Sequence, residues 1–349
     1  MRFNSMIVAA SLLALAACQN GTQEAAPAST PVVTAQGETA PVATEDDAAD
    51  DPAIWRNAAD PAASLVIGTD KKAGIHVYNL KGERLGFTPS PRLNNVDLRD
   101  HVTINGQPSV LVAASDRADE ANAKVALFRL DTGAARLDPL GSFPVGAGEA
   151  YGMCLWTRAS DGALFGFLVL KDGRIDQFAI DASGAQPQVA VVRSLKLGTQ
   201  AEGCVADDRT GILYVAEEDV GLWRFEADPS GSAEPVSIAK VDGKALVADV
   251  EGVALAPQGA DGGYLLVSSQ GDNAYAVYRL PGGEYVNRFR IGDGTVDGVS
   301  ETDGIELMLG DFGPGFTEGL FVAQDGDNAP ETQNFKLVDW AHIRTALGL

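Results

Sequence analysis

Six short apolar runs recur along the chain at similar spacing: Leu65–Gly68, Val110–Ala113, Phe167–Leu170, Leu213–Ala216, Leu265–Ser268 and Leu320–Ala323. With Val66, Val112, Leu168, Val215, Val267 and Val322 as markers, the intervals are 46, 56, 47, 52 and 55 residues. Runs this short, bounded by Gly, Asp and Pro, read as buried strands, and helical periodicity is scarce. Each run leads into a polar turn and then usually a second strand-like run with an aromatic: HVYNL, ALFRL, DQFAI, LWRFE, YAVYRL and NFKLV. Six units of about 50 residues predict an all-β fold, a six-bladed β-propeller of four-stranded blades, over residues 46–349. A β-sandwich would need fewer strands or a second domain, and ranks well behind.

The fourth unit, Ala201 to Ala227, carries the densest chemistry. Its runs Cys204–Ala206 and Ile212–Ala216 are joined by Asp207–Gly211, rich in hairpin-loop residues. Folding the pair about residue 209 sets Glu202 opposite Ala216 and gathers Glu202, Glu217, Glu218 and Asp219 at one rim. Like charges 4 Å apart repel by about 4 kcal/mol per pair at an effective dielectric near 20, before solvent screening. A hard, oxygen-seeking cation such as Ca²⁺ would relieve that repulsion. A solvated acidic loop is the alternative reading of this stretch alone.

The same folding exercise works in every unit. Asp51 comes level with Thr69, beside Lys71 and Lys72. Asn94, Asn95 and Asp97 meet Ser115 to Arg117, and Tyr151 meets Lys171. Asp249 and Glu251 meet Gln270, and Asp303 meets Gln324 and Asp325. The opposite turns are ordinary Gly- and Pro-rich connectors. Polar ends on one side in all six units predict a single functional mouth on a rigid scaffold.

That mouth holds two kinds of group. Asp51, Asn95, Glu202, Glu218, Asp249, Glu251, Gln270, Asp297, Asp303, Asp325 and Asn328 are hard oxygen donors suited to several Ca²⁺ ions. Lys71, Lys72, Arg117 and Lys171 share the rim, as a phosphate ester requires when metal holds some of its oxygens and cations hold others. Taken singly, each of these residues also reads as a surface salt bridge or solvated loop. With only His76, His101 and His342 and no Gly-x-Ser-x-Gly, a phosphohistidine or Ser-His mechanism is disfavoured, and zinc spacing is absent.

Charge and termini sharpen the picture. A formal net charge of −22 argues against nucleic acid and requires cations to bridge any anionic substrate. Residues 1–17 read as a signal peptide, with Arg2 before the apolar run Met6–Ala17. Its end, Leu15-Ala16-Ala17-Cys18, resembles the bacterial lipobox. Cys18 would then be lipidated, giving an exported envelope lipoprotein, outer-membrane or periplasmic; ordinary cleavage and secretion is the alternative. Residues 18–45, without an aromatic, read as a disordered Ala/Pro/Thr-rich tether. Cys154 and Cys204 both lie in apolar runs, and a disulfide and two buried thiols are equally open.

Several long strings carry a resemblance: DDPAIW (50–55), GTDKKAGIHVYNL (68–80), RLNNVDLR (92–99), EAYG (149–152), AEGCVADD (201–208) and LYVAEEDVGLW (213–223). ADVEG (248–252), SSQGDNAYAVY (268–278), TDGIE (302–306), GLFVAQDGDN (319–328) and QNFK (333–336) continue it in order. Over residues 45–345 the chain resembles the β-propeller phytases. The resemblance implies a calcium-dependent, 3-phytase-type phosphoric monoester hydrolase acting on calcium–phytate, myo-inositol hexakisphosphate, and a monomer is expected. It implies that Glu202, Glu218, Asp249, Glu251, Gln270, Asp297 and Asp303 form the calcium-and-phosphate cluster, with Tyr151 in the same cleft. Lys71, Arg117 and Lys171 match phosphate-binding cations, with Lys72 beside a second phosphate site. Asp51, Asn94, Asn95, Asp97, Asp325 and Asn328 match structural or substrate-linked calcium positions. Val299-Ser300-Glu301 and Asp100-His101 depart from the usual pattern, which bears on loop geometry and substrate preference.

The expected reaction is direct in-line attack by a Ca²⁺-bridged water, with no covalent enzyme intermediate. Glu218 would help deprotonate the water, and Lys71 and Arg117 would stabilise the growing charge. Ionised carboxylates are needed to hold the metal, so activity should favour neutral to alkaline pH. The competing readings are another calcium-dependent propeller hydrolase, lactonase-like, and a non-catalytic binding propeller on the envelope.

Overall fold

The computed structural model describes residues 30–90 and 92–349. The predicted signal peptide, Cys18 and the first part of the tether lie outside them. The described chain forms six antiparallel blades around one axis. Blade 1 is Ala49–Trp55, Leu65–Asp70, Gly74–Asn79 and Arg84–Pro89, from the axis outward. Blades 2, 3, 4 and 5 begin on the axis with Leu93–Ile104, Ala150–Thr157, Ala201–Asp207 and Val250–Gln258. Blade 6 begins with Ile305–Leu309. These six innermost strands touch their neighbours all the way round, and Ile305–Leu309 meets Ala49–Trp55 to close the ring.

Each blade is buried on both faces, which is why its second strand reads as a continuous apolar run. Six hydrophobic clusters lie one between each adjacent pair of blades. Tyr275 and Phe289 of blade 5, for example, pack on Phe321 and Val338 of blade 6. Burying one such side chain stabilises the fold by about 1.5–3 kcal/mol. A disulfide between Cys154 and Cys204, with Cα atoms 5.8 Å apart, ties the innermost strands of blades 3 and 4.

The ring takes its last pieces from the N-terminal side. Gly37–Glu38 pairs with Leu337 and Lys336 as the outer strand of blade 6. Val32–Thr34 adds in parallel to Arg290–Gly292 on the edge of blade 5. The part of the expected 18–45 tether from Val32 onward is therefore built into the propeller. An edge strand needs few apolar side chains, so composition alone reads it as linker.

One local irregularity recurs and decides the site. Simple hairpin counting sets Glu202 opposite Ala216, and the register, Ala201 with Glu217 and then Cys204 with Val215, leaves Glu202 and Gly203 sharing Ala216 in a bulge. The same bulge interrupts the start of the innermost strands of blades 1, 2, 3 and 5. The bulged residues are Asp50-Asp51, Asn94-Asn95, Tyr151-Gly152, Glu202-Gly203 and Glu251-Gly252. Bulges re-aim side chains and are frequent beside active sites. Glycine is required at the second position where neighbouring bulges nest: a Cβ on Gly152 would lie 1.8 Å from the Glu202 carbonyl oxygen. On Gly203 it would lie 2.3 Å from that of Glu251. Gly252 and Gly304 donate instead to the carbonyls of Asp303 and Asp50, at 2.8 and 3.0 Å.

Candidate metal and phosphate site

A cleft of about 610 Å³ opens at the mouth of the ring, and the bulges of blades 3 and 5 place Tyr151 and Glu251 on its lining. That volume lies within the roughly 300–1,000 Å³ of small-molecule sites. Tyr151, Glu218, Asp249, Glu251, Gln270, Asp303 and Lys71 line it. At its floor, oxygens of Glu202, Glu218 and Glu251 lie within 4.8 Å of one another. Glu218 sits on the turn after Ile212–Glu217, its N–H donating to the Gln200 carbonyl at 3.1 Å. Gln270 donates to Asp303 Oδ1 at 2.6 Å.

The electrostatics of this floor are unfavourable without a partner ion. Burial, then the charges of Asp50 and Asp303, push the Glu202 carboxyl well above its usual range. Burial, then Glu202 and Asp303, do the same to Glu251, whose Oε2 is buried without a hydrogen-bond partner. Asp303 rises to about 8 through burial, although Lys71 opposes the rise. Burial also raises Glu218. Several desolvated carboxylates and an amide, with an orphaned oxygen among them, fit a hard divalent cation.

Cations ring this floor. Lys71 Nζ lies 2.7 Å from Asp47, 3.0 Å from Asp50 and 3.2 Å from Asp303. Burial opposes its charge, but those three carboxylates outweigh burial and hold its pKa above the usual range. Arg117 donates to Asn94 Oδ1 at 2.6 Å and pairs with Glu149 at 2.8 Å. Lys171 lies 3.6 Å from the same Glu149 oxygen. The Tyr151 ring carries both cations on its face, with Lys171 Nζ 4.8 Å and the Arg117 guanidinium carbon 5.6 Å from its centre. Lys72 stands apart, exposed and donating to the Glu45 carbonyl at 2.7 Å.

The remaining candidates divide into three groups. Asn94 and Asn95 are buried beneath the floor. Asp51, Asn95 and Asp97 line a narrow axial cavity of about 20 Å³ with Glu306, against the disulfide. There Asp97 is engaged by the protein itself: both oxygens accept from Arg99, at 2.9 and 3.0 Å, and one from the Leu155 N–H. Asp297, Asp325 and Asn328 are not in the cleft. They surround the fully buried ammonium of Lys336 with Glu38, the Asp325 contact being 3.2 Å and the Asn328 contact 3.1 Å. Asp297, grouped by the resemblance with the central cluster, therefore sits elsewhere.

Sequence reasoning missed Asp47, Asp50, Glu149 and Lys336. Asp50 is legible in hindsight from a repeated signal at the start of each unit, an acid, amide or Tyr followed by Gly, Asp or Asn. Glu149 and Lys336 act through contacts that no local pattern displays. Gln324, matched in height to Asp303, accepts from the Asp303 N–H at 2.8 Å and lines the cleft.

A closed six-bladed ring with acids and cations at one mouth defines a β-propeller with a polar, cation-seeking cleft. The phytase family model matches residues 3–349 of this chain. The chain belongs to the phytase family. A 3-phytase of Bacillus subtilis (strain 168) is 41% identical over 329 residues, covering 90% of this chain and 85% of that protein. The solved structure of Saccharomyces cerevisiae Sqt1 is 12% identical, with a TM-score of 0.45 over 79% of this chain and 70% of that one, too distant to inform the site.

Proposed function

We propose that this enzyme releases phosphate from phytate in a calcium-dependent reaction, by direct attack of water on phosphorus. The observation that carries the reading is the Glu202, Glu218 and Glu251 cluster, with oxygens within 4.8 Å, ringed by Lys71, Arg117 and Lys171. Glu202, Glu218, Asp249, Glu251, Gln270 and Asp303 would hold calcium, which when bound supplies charge neutralisation and lowers the pKa of water. Arg117 offers a forked pair of N–H groups to two oxygens of one phosphate, and Lys71 and Lys171 offer point charges to others. The Tyr151 ring, which lines the cleft, packs against both outer cations. A Glu218 carboxylate oxygen accepts the proton of the attacking water, burial having raised its basicity. Lys71, held charged by Asp47, Asp50 and Asp303, stabilises the negative charge that grows on the phosphoryl oxygens. No side chain needs to form a bond to phosphorus.

Export and lipid anchoring at Cys18 belong to the same reading. The Cys154–Cys204 disulfide supports an oxidising compartment. No helix among the described residues is long and apolar enough to cross a membrane.

Phosphate release from phytate, followed while calcium is titrated into chelator-treated enzyme, tests the proposal. Release should be absent in excess EGTA and return with Ca²⁺. Undiminished release in EGTA would refute the calcium dependence, and calcium-dependent phytate binding without turnover would refute the catalysis.

A further inference from the structure

We propose that Asn94 is a positioning residue that couples the phosphate-binding guanidinium to the carboxylate floor, rather than a metal ligand. The inference rests on the phytase reading of the cleft.

Asn94 is fully buried on the bulge of the innermost strand of blade 2. Its Nδ2 donates to Asp50 Oδ2 at 2.8 Å and to Glu202 Oε1 at 2.6 Å. Its Oδ1 accepts from Arg117 Nη1 at 2.6 Å. Asp50, through its other oxygen, holds Lys71 at 3.0 Å. One neutral side chain therefore joins the acids of blades 1 and 4 to the cation of blade 2.

The hydrogen-bond accounting explains why the group is an amide. Carboxylates accept only, a guanidinium donates only, and an amide offers two donors at one corner and an acceptor at the other. The neighbouring Asn95 amide, whose side-chain oxygen lies 3.0 Å from Asn94 Nδ2, is better placed turned over, with its nitrogen on Glu202 Oε1 at 2.9 Å and on the Tyr151 carbonyl at 3.0 Å. Both hydrogens of Asn94 are then left for Asp50 and Glu202. Those two bonds fix which corner carries oxygen, and that oxygen aims Arg117. An Asp here would set a third carboxylate against two others, and an apolar residue would leave buried acceptors and a guanidinium unpartnered.

A double-mutant cycle with two readouts tests the assignment. Asn94→Ala, Arg117→Ala and the double variant are compared with wild type for phytate KM and for calcium binding by calorimetry. Asn94→Ala should raise KM about tenfold and weaken calcium binding several-fold without reducing the number of ions bound. Arg117→Ala should raise KM and leave calcium binding unchanged. Because the Asn94 oxygen reaches the phosphate through Arg117, the double variant's KM should fall well short of the product of the two single effects. Should Asn94→Ala fail to fold, Asn94→Ser keeps one hydroxyl in the site and should show the same coupling.

Two results would overturn the assignment. One is KM effects that simply multiply. The other is a calorimetric stoichiometry that falls by one ion, which would make Asn94 a direct ligand. A wild type that binds calcium but never releases phosphate would instead sink the functional reading, while the calorimetric arm would still decide the role of Asn94.

Discussion

The two ends of the ring's axis use the same chemical material in opposite ways. Toward the far end, the carboxylate of Asp97 meets a guanidinium supplied by the protein: Arg99 bonds both its oxygens and reaches Asp208 at 3.1 Å and the Leu155 carbonyl at 2.5 Å. At the mouth, Glu202, Glu218 and Glu251 converge without any such partner, and Glu251 keeps an orphaned oxygen. Both ends bury acids, so burial does not separate them. The difference is whether a covalently attached cation completes the pairing. Arg99 does so for Asp97 but not for Asp51 and Glu306, which line the same cavity and are pushed above their usual range by burial. A filled acid cluster is architecture, whereas an unfilled one is a seat for an ion that must come from solution.

The strongest way to break the comparison is to remove the resident cation. Arg99→Met should destabilise the fold by about 3–5 kcal/mol, because Asp97 would be left buried and unpaired. Glu251→Gln should act the other way, raising the thermal midpoint in chelator because like charge is removed from the floor. The same variant should lower kcat at least about 100-fold in saturating calcium. Thermal unfolding of both variants with and without EGTA reads out these opposite signs; a shared sign would erase the distinction.

A pH series sharpens the contrast further. In chelator, Asp303 titrates at about 8, and burial also holds Glu202 and Glu251 above their usual range. These acids bind protons more tightly when folded, so the stability they lend is present below about pH 4 and is lost as pH rises toward 8. Chelated enzyme should therefore lose stability across that window. Calcium at about 100 times its dissociation constant adds roughly 2.7 kcal/mol per site and should flatten the profile on its alkaline side. Calorimetric midpoints that rise toward pH 8 in chelator would show that the floor does not carry this strain. The smallest effect belongs to Lys72, which bonds a rim carbonyl outside the central cleft. Lys72→Ala should raise KM by only about two- to threefold, consistent with an exposed contact of under 1 kcal/mol.

The ring was legible in the sequence because every blade is buried on both faces, so its second strand is apolar throughout, as in Phe167–Leu170 and Leu320–Ala323. The mouth was legible because hairpin counting brought polar residues to one end of all six units. Counting set Glu202 opposite Ala216, as the register has it, but alternation cannot register that a bulge makes Gly203 share that partner. The same bulge turns Asp50 as well as Asp51 inward, and only Asp51 stood out by height. Pairings between blades were hidden for a different reason. Glu149 gathers Arg117 and Lys171, and Lys336 enters the group of Asp297 and Asp325, through contacts set by the closed ring. The strand Val32–Thr34 was hidden because an edge strand pairs through its backbone and needs little apolar signature.

Diffraction from crystals grown in calcium, with the ions located by their anomalous signal, tests the central claim most directly. The account predicts Ca²⁺ about 2.3–2.6 Å from oxygens of Glu202, Glu218 and Glu251. A calcium-soaked cleft whose three glutamates bind no ion would contradict it.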